Sequence, residues 1–464
     1  VDFDTAREEL LAGADTALKY ARSLDHDAEF EIFISYESSA DVSVSQGMVT
    51  AKDGAQAGNA VRVAKGKKVG FACASGISPE RAKRSAREAI DVVTAVDVED
   101  TRFLSFCDPV KPGRESSFSK KILELGIDDL IRDAGLLARD ASEVDERIKS
   151  VSGSAARLWG AYVVANTRGV MAATRYGYCD CSASVQAIDG EERKGGAEFD
   201  LGVDRQYKIE GVGKTAAEEA LGLLGAKKLG LTERMKTVWT EMPTATYVLA
   251  SLGRSVLGVS IVQKTSPLCD RMGDRIGPAS LTIADNGQSR TGTGTNAIDG
   301  EGMPQRDIPI VEQGILKSYL FDSYYGNAAG TESTGNSDRT GGPFRRSTQY
   351  ETAPSVSAKC LEISPGSKSE EQIISELDGR AVLIRSIPLG IFHTAVATGE
   401  FSVVANSAYL VENGEVKHSI EPVSISGNFY EGFKNLVAVA SNVRPLPWGI
   451  SSPTLVFDGF SVTG

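Results

Sequence analysis

Residues 245–267, ATYVLASLGRSVLGVSIVQKTSP, decide how the rest of the chain is read. Ala245, Val248, Leu249, Leu252, Val256 and Val259 recur at spacings of three and four, which predicts one buried face of a single helix. A helix-borne hydrolytic zinc site needs two imidazoles about one turn apart with a carboxylate beside them. Here the polar side chains on the predicted helix are Ser251, Arg254, Ser255 and Ser260, and none is an imidazole or a carboxylate. The stretch therefore reads as a packing element and not as a metal-binding one.

C-terminal to residue 236 the composition turns to strands, glycine and turns. Hairpins are expected at 311–315 and 411–415, where apolar residues alternate around Gln313-Gly314 and Asn413-Gly414. A loop over 284–305, rich in Gly, Thr, Asn and Asp, exceeds a plain connection and is expected to be functional or mobile, and a second over 326–352 holds Arg339, Arg345 and Arg346. A helix over 430–439 and a strand over 454–462 are expected to close the chain.

Towards the N-terminus, Thr5 followed by Glu8 marks a helix start, with Leu10, Ala14, Ala17, Ala21 and Leu24 on its buried face. Strands follow at 30–34, 42–44, 60–63 and 69–72, the last two joined at Gly66-Lys67, and then a helix over 79–93 capped by Ser78. The order recurs as a helix over 128–143, strands over 148–158, 162–165 and 178–188, and a helix over 215–228. The expected fold class is α+β: an N-terminal domain over 1–235, with an internal repeat of 1–100 and 125–230, and a β-rich domain over 236–464.

The chain has 464 residues, a net charge of -12, 41% hydrophobic and 24% charged residues, which suits a globular protein of two or three domains. The acidic balance argues against direct nucleic-acid binding, because such surfaces cluster Lys and Arg. The opening VDFDTAREELL lacks a basic segment followed by an apolar one, so no signal peptide is expected. Arg254 interrupts the longest apolar stretch, which is too short to span a bilayer. Six cysteines without framework spacing fit a reducing, cytoplasmic location.

Four dispersed stretches carry a resemblance: GNAVRVAKGKKVGFA at 58–72, VVANTRGV at 163–170, DGEGMPQRDIPIVEQGILKSYLFDSYYGNAAGTESTGN at 299–336, and GIFHTAVATGEFS at 390–402 running on to ISGNFYEGFKNLVAVASNV. In this order they resemble the TldD/PmbA family, the modulators of DNA gyrase, whose members pair as TldD and TldE subunits of a metalloprotease. The resemblance covers nearly the whole chain. In the TldD branch the helix carries HExxxH and a cysteine near the C-terminus completes the zinc site. Counted back from Lys264, Ala250, Ser251 and Ser255 stand in that slot, and the last cysteine is Cys360.

The chain thus looks like the PmbA/TldE branch, which lacks zinc. That implies no cofactor in this chain, zinc in a TldD-like partner of a heterodimer, and unfolded peptides as substrate. Two other readings stay open: a self-sufficient homodimeric hydrolase with unorthodox ligands around His393, and a non-enzymatic regulator of DNA gyrase.

Peptide-binding candidates are Asp299, Glu301, Arg339, His393 and Glu400. His393 is one of three histidines, and a lone imidazole either joins a site or fixes a loop through a carbonyl. Glu400 lies seven residues on, while Asp299 and Glu301 occupy the DGEG turn, where acids also serve turns alone. Arg339, with Arg345 and Arg346, either clasps a peptide carboxylate or a partner's acidic edge or belongs to a solvated loop. Cys179 and Cys181 share a strand face, as a metal pair or as plain thiols. Gly211–Thr215 fails as a phosphate loop because Lys208 stands where a glycine is needed. Gly292 and Gly294 lack the strand and helix of a dinucleotide fold.

Overall fold

Apolar residues recur at every second position from Phe30 to Val44, interrupted only at Phe33 and Ser38, and the chain from Glu29 to Ser45 forms one long strand. The computed structural model describes residues 3–114, 119–340 and 348–464. Its N-terminal part comprises α1 (Phe3–Leu24), β1 (Glu29–Ser45), β2 (Met48–Lys65), β3 (Lys68–Ser75) and α2 (Pro79–Ala95). A single turn α3 (Lys120–Leu123) leads to α4 (Ile127–Ser142), β4 (Ile148–Asn166), β5 (Met171–Asp189), β6 (Glu192–Gly202) and α5 (Val212–Gly222).

Helix, three strands, helix thus occurs twice, and the strands form one antiparallel sheet in the order β3-β2-β1-β4-β5-β6. The first strands of the two units, β1 and β4, pair at the centre, with Ile34 opposite Val163. One face of the sheet lies under the helices: Phe30, Ile32, Ile34, Ala161 and Val163 pack with α1 and α2, and Ala40, Val42, Cys179 and Cys181 with α4 and α5. The other face carries Phe33, Tyr162 and Tyr176 towards the C-terminal half. Glycine permits the close contact in each unit. A Cβ on Gly70 of β3 would stand 2.4 Å from the Ala89 carbonyl of α2, and one on Gly196 of β6 would stand 2.1 Å from the Ala216 carbonyl of α5.

In the C-terminal half, β7 (Thr232–Trp239) lies inside a sheet of eight strands, between Leu455–Thr463 and Arg380–Ile384. A second sheet is built on β8 (Ile283–Asn286), β9 (Asp307–Glu312) and β10 (Ile315–Leu316), and continues through Leu361–Ile363. Between them lies an aromatic core of Trp239, Tyr247, Phe401, Phe429, Phe433, Phe457 and Phe460, in which Tyr247 Oη donates to the Phe429 carbonyl at 2.7 Å. Both hairpin turns form as expected: Gln313-Gly314 has φ of 48° and 78°, Asn413-Gly414 of 48° and 82°, the positive pair that a two-residue turn between twisted strands requires. The fold class is α+β.

Several boundaries differ from expectation. Helix α1 is under way by Phe3, so Thr5 lies inside it and does not cap it. Helix α5 ends at Gly222 and not near 228, because Gly225 turns at φ 71° and the Lys227 N–H is drawn to the Ser419 carbonyl of the eight-stranded sheet. The closing helix covers only Phe429–Lys434; Leu436–Val439 instead pairs with Leu455–Thr463. The single helix expected over 245–267 is three pieces, α6 (Glu241–Ala250), α7 (Leu252–Ser255) and α8 (Gly258–Val262). Long-range backbone bonds break it: the Gly258 N–H donates to the Leu320 carbonyl at 2.7 Å, and the Leu320 N–H to the Val256 carbonyl at 2.9 Å. Among the described residues no helix is long and apolar enough to cross a membrane.

Candidate functional site

Helix α6 is anchored in the aromatic core by Tyr247, and this anchor sets where Ala250, Ser251 and Ser255 stand. All three are fully buried. Ser251 leaves the helical conformation, at φ -105° and ψ -92°, and its Oγ donates to the Tyr247 carbonyl at 2.5 Å. Ser255 Oγ donates to the Ser251 carbonyl at 2.8 Å and accepts from Tyr430 Oη at 2.5 Å, and Tyr430 Oη also lies 3.0 Å from the Val396 carbonyl. The slot is thus closed by a chain of hydroxyls bound to carbonyls. An aliphatic side chain and two engaged serines do not make a zinc donor set, which needs imidazole, thiolate or carboxylate. Among the described residues, no group of three or more His, Cys, Asp or Glu side chains is placed to hold a metal ion.

The candidates flagged in the sequence fall into two places. Asp299, Glu301 and Arg339 come together, fully buried, where the first sheet meets the C-terminal half. Arg62 of β2 donates through Nε and Nη2 to Glu31 of β1 at 2.8 and 2.7 Å, and through Nη2 to Glu301 at 3.0 Å. Arg339 donates to Glu31 as well, and its Nε to the Gly300 carbonyl at 2.8 Å, with its guanidinium over the Phe33 ring at 4.3 Å. Two carboxylates and two guanidiniums therefore alternate in a closed, desolvated cluster. Glu31 and Arg62 had no individual signal in the sequence. Each is a charge between apolar neighbours on a strand, placed on the face opposite to theirs.

Asp299 lies beside this cluster and accepts the N–H groups of Glu301, Met303 and Ser337 at 2.9, 3.0 and 2.9 Å. Burial, and then the Glu301 charge, push its carboxyl up to about 7. Asp322 is likewise pushed up to about 7, by burial first and Glu301 second. Burial would raise Glu301 too, but Arg62 and the Ser323 hydroxyl and N–H outweigh it and hold that carboxyl below the usual range. Burial, offset in part by Glu31, brings Arg339 down to about 10. Saturated with donors and shut off from solvent, these acids fix geometry.

What they fix is a cleft of about 660 Å³. One wall is the free face of the first sheet, with Phe33 and Glu37 of β1, Tyr162 of β4, and Tyr176 and Tyr178 of β5. The other wall is made of loops from the C-terminal half: Asn296, Ser337 to Thr340, Gln349, Tyr350, Lys359 and Trp448. Among the described residues the two buried cations that line it are engaged, Arg339 as above and Lys359 by the Ser337 carbonyl at 2.5 Å and by Asp338 at 3.6 Å.

His393 and Glu400 lie elsewhere. Both are exposed, and neither lines the cleft. Asn428 Nδ2 donates to Glu400 at 3.1 Å. His393 ends a short turn (Ile391–His393) next to Phe392, whose ring meets Trp448 edge-on at 6.3 Å. Arg345 and Arg346 lie outside the described residues. Cys179 and Cys181 do share a face, but it is the helix-covered one. There their thiols bond backbone carbonyls, and burial pushes each up to about 12. All six cysteines are free.

Comparison with known proteins places these features in company. Residues 232–464 match the model described as PmbA/TldA metallopeptidase C-terminal domain, 120–224 that of the central domain, and 30–93 that of domain 1. Metalloprotease PmbA of Escherichia coli is 25% identical over 392 residues, covering 81% of this chain and 79% of that protein. A metalloprotease TldD homolog of Buchnera aphidicola is 23% identical over 437 residues, covering 88% and 86%. The crystal structure of TldE from Thermococcus kodakarensis superposes with a TM-score of 0.88 at 23% identity, covering 97% of this chain and all of that one.

Proposed function

This chain belongs to the PmbA/TldD metallopeptidase family, and from that premise we propose that it is a subunit without zinc, of the TldE kind, that works beside a zinc-bearing TldD-like partner on unfolded peptides. The observation that carries the reading is the slot at Ala250, Ser251 and Ser255. Its hydroxyls already donate to the Tyr247 and Ser251 carbonyls, and no side chain there can ligate zinc or take a proton from a bound water. Peptide-bond hydrolysis is accordingly assigned to the partner. This chain's share is to complete the chamber and to present walls and strand edges. Residues 48–56 of β2 support the second role: they are exposed, and β3 pairs with β2 only from Gly58 onward.

The test is a peptidase assay on an unfolded polypeptide, with the purified chain alone and mixed with a TldD-like protein that carries HExxxH. Cleavage in the mixture that exceeds the partner's own, and that a chelator abolishes, is the expected result. Cleavage by this chain alone at a comparable rate would overturn the reading.

A further inference from the structure

A second pocket, of about 370 Å³, lies on the sheet built on β8. Strand alternation makes it: Ile283, Leu361 and Ile450 enter the C-terminal core, so their neighbours Ala284, Glu362 and Ser451 share the other face and line the pocket. Pro365, Val443 and Pro445 add apolar wall, and Glu362 is the single charge among the lining residues. That carboxylate is half-buried. Its Oε2 accepts Asn286 Nδ2, and its Oε1 accepts Ser289 Oγ at 2.5 Å and Cys360 Sγ at 3.6 Å. All three donors are neutral, and among the described residues no Lys, Arg or His forms an ion pair with Glu362. The arginines next in sequence to the lining do not supply one, since Arg444 is bound to Glu198 at 2.8 Å and Arg290 is exposed. The three donors hold the carboxylate in place and leave its net charge standing, and Oε2 keeps a lone pair unused. A fixed, half-buried anion without a cation, between apolar walls, marks a place for a positive group on an apolar stem. A divalent metal does not fit, because Ca²⁺ takes about six to eight oxygen ligands, several of them carboxylates, and this lining holds one acid.

We propose that this pocket takes the basic side chain of a peptide, an arginine or a lysine. The guanidinium or ammonium donates to the Glu362 carboxylate, and the methylene stem lies along Pro365, Val443 and Pro445. Both side chains carry their charge at the end of an apolar stem, so the single acid and the apolar wall match the two ends of one residue. A volume of about 370 Å³ falls within the usual range of ligand pockets, about 300–1,000 Å³. The choice of a peptide over a free cation rests on the metallopeptidase reading above. The pocket holds and does not cleave, and it gives the chain a preference for basic residues.

The test uses the full chain, without partner, with its isoleucine and valine methyl groups labelled for NMR. The probe is acetyl-Gly-Arg-Gly amide, set against the same peptide with citrulline, which keeps the shape of arginine and lacks its charge. The arginine peptide is expected to move the Ile363 and Val443 signals to saturation, and the citrulline peptide to bind at least about tenfold more weakly. Glu362→Gln is expected to weaken the arginine peptide by about tenfold or more and to leave the citrulline peptide within about twofold. No saturating shift at those two methyl groups, or equal binding of the two peptides, overturns the proposal. Displacement of the arginine peptide by an equal concentration of Ca²⁺ overturns it in favour of a metal, and tighter binding of free arginine overturns it in favour of a free amino acid. The citrulline comparison gives its answer on the unaltered protein even where the variant fails to fold. Hydrolysis in the two-subunit mixture without binding here would sink the pocket and leave the subunit reading standing. Binding here with no hydrolysis in any mixture would do the reverse.

Discussion

Asp322 accepts the Tyr325 N–H at 2.8 Å as the cap of a short helix, while burial and Glu301 push its carboxyl up to about 7. The folded protein therefore keeps this proton up to near pH 7, whereas the unfolded chain gives it up near the ordinary value of about 3.9. Stability from this group is complete below that lower value and is lost as pH rises towards 7. Asn caps as well as Asp and carries no charge. Asp322→Asn is thus expected to flatten the fall in stability between about pH 4 and 7 and to raise stability at pH 8 by on the order of 1–3 kcal/mol, read by urea denaturation at several pH values. An unchanged pH slope would mean the group is not buried in its charged form. The same cluster marks the limit of reading one residue at a time. Asp299, Glu301 and Arg339 stood out in the sequence as candidates, but Arg62 and Glu31, which bind Glu301 and Arg339, lie 239 and 308 positions away from them along the chain, and no local pattern ties them together.

Elements whose patterns are local were legible: the alternating strands, the Gln313-Gly314 and Asn413-Gly414 turns, and the helix of α4 with its apolar spacing. Elements decided by distant backbone were not. Residues 245–267 have helical periodicity throughout, yet Leu320 takes the hydrogen bonds of Val256 and Gly258 and splits the helix. Leu436 and Val439 fit a helix equally well until Leu455–Thr463 offers them a strand to pair with. Glycine also had a meaning that only packing reveals. Gly196→Ala would push a methyl group to 2.1 Å from the Ala216 carbonyl, and a loss of about 1–3 kcal/mol is expected. Its neighbour Gly195 has nothing nearer than 3.8 Å, so Gly195→Ala should stay within about 0.5 kcal/mol. Equal thermal shifts for the two variants would refute the close-contact account.

For the whole molecule the decisive joint is the cluster of Glu31 and Arg62 from the first sheet with Glu301 and Arg339 from the C-terminal half. Breaking a buried ion pair from one side leaves a charge uncompensated and costs about 3–5 kcal/mol. Glu31→Gln removes the carboxylate that Arg62 and Arg339 share, leaving Arg62 with Glu301 and Arg339 with the Gly300 carbonyl. Differential scanning calorimetry is expected to show its unfolding as two separate transitions, one per half, where the unaltered chain gives one. A single transition at an unchanged temperature would mean that apolar contacts alone join the halves.

The doubled unit of the first sheet has an outcome that goes past stability. Because β3 pairs with β2 only from Gly58 on, and β6 with β5 only from Cys179 on, the third strand of each copy does not reach part of the second strand: 48–56 in the first and 171–178 in the second. The second margin carries Tyr176 and Tyr178 into the cleft, while the first projects outwards. The repeated order of elements thus presents two similar rims, and the C-terminal half lies against only one of them. The covered rim is free to specialise in an inward task and the other in an outward one, without either change disturbing its twin.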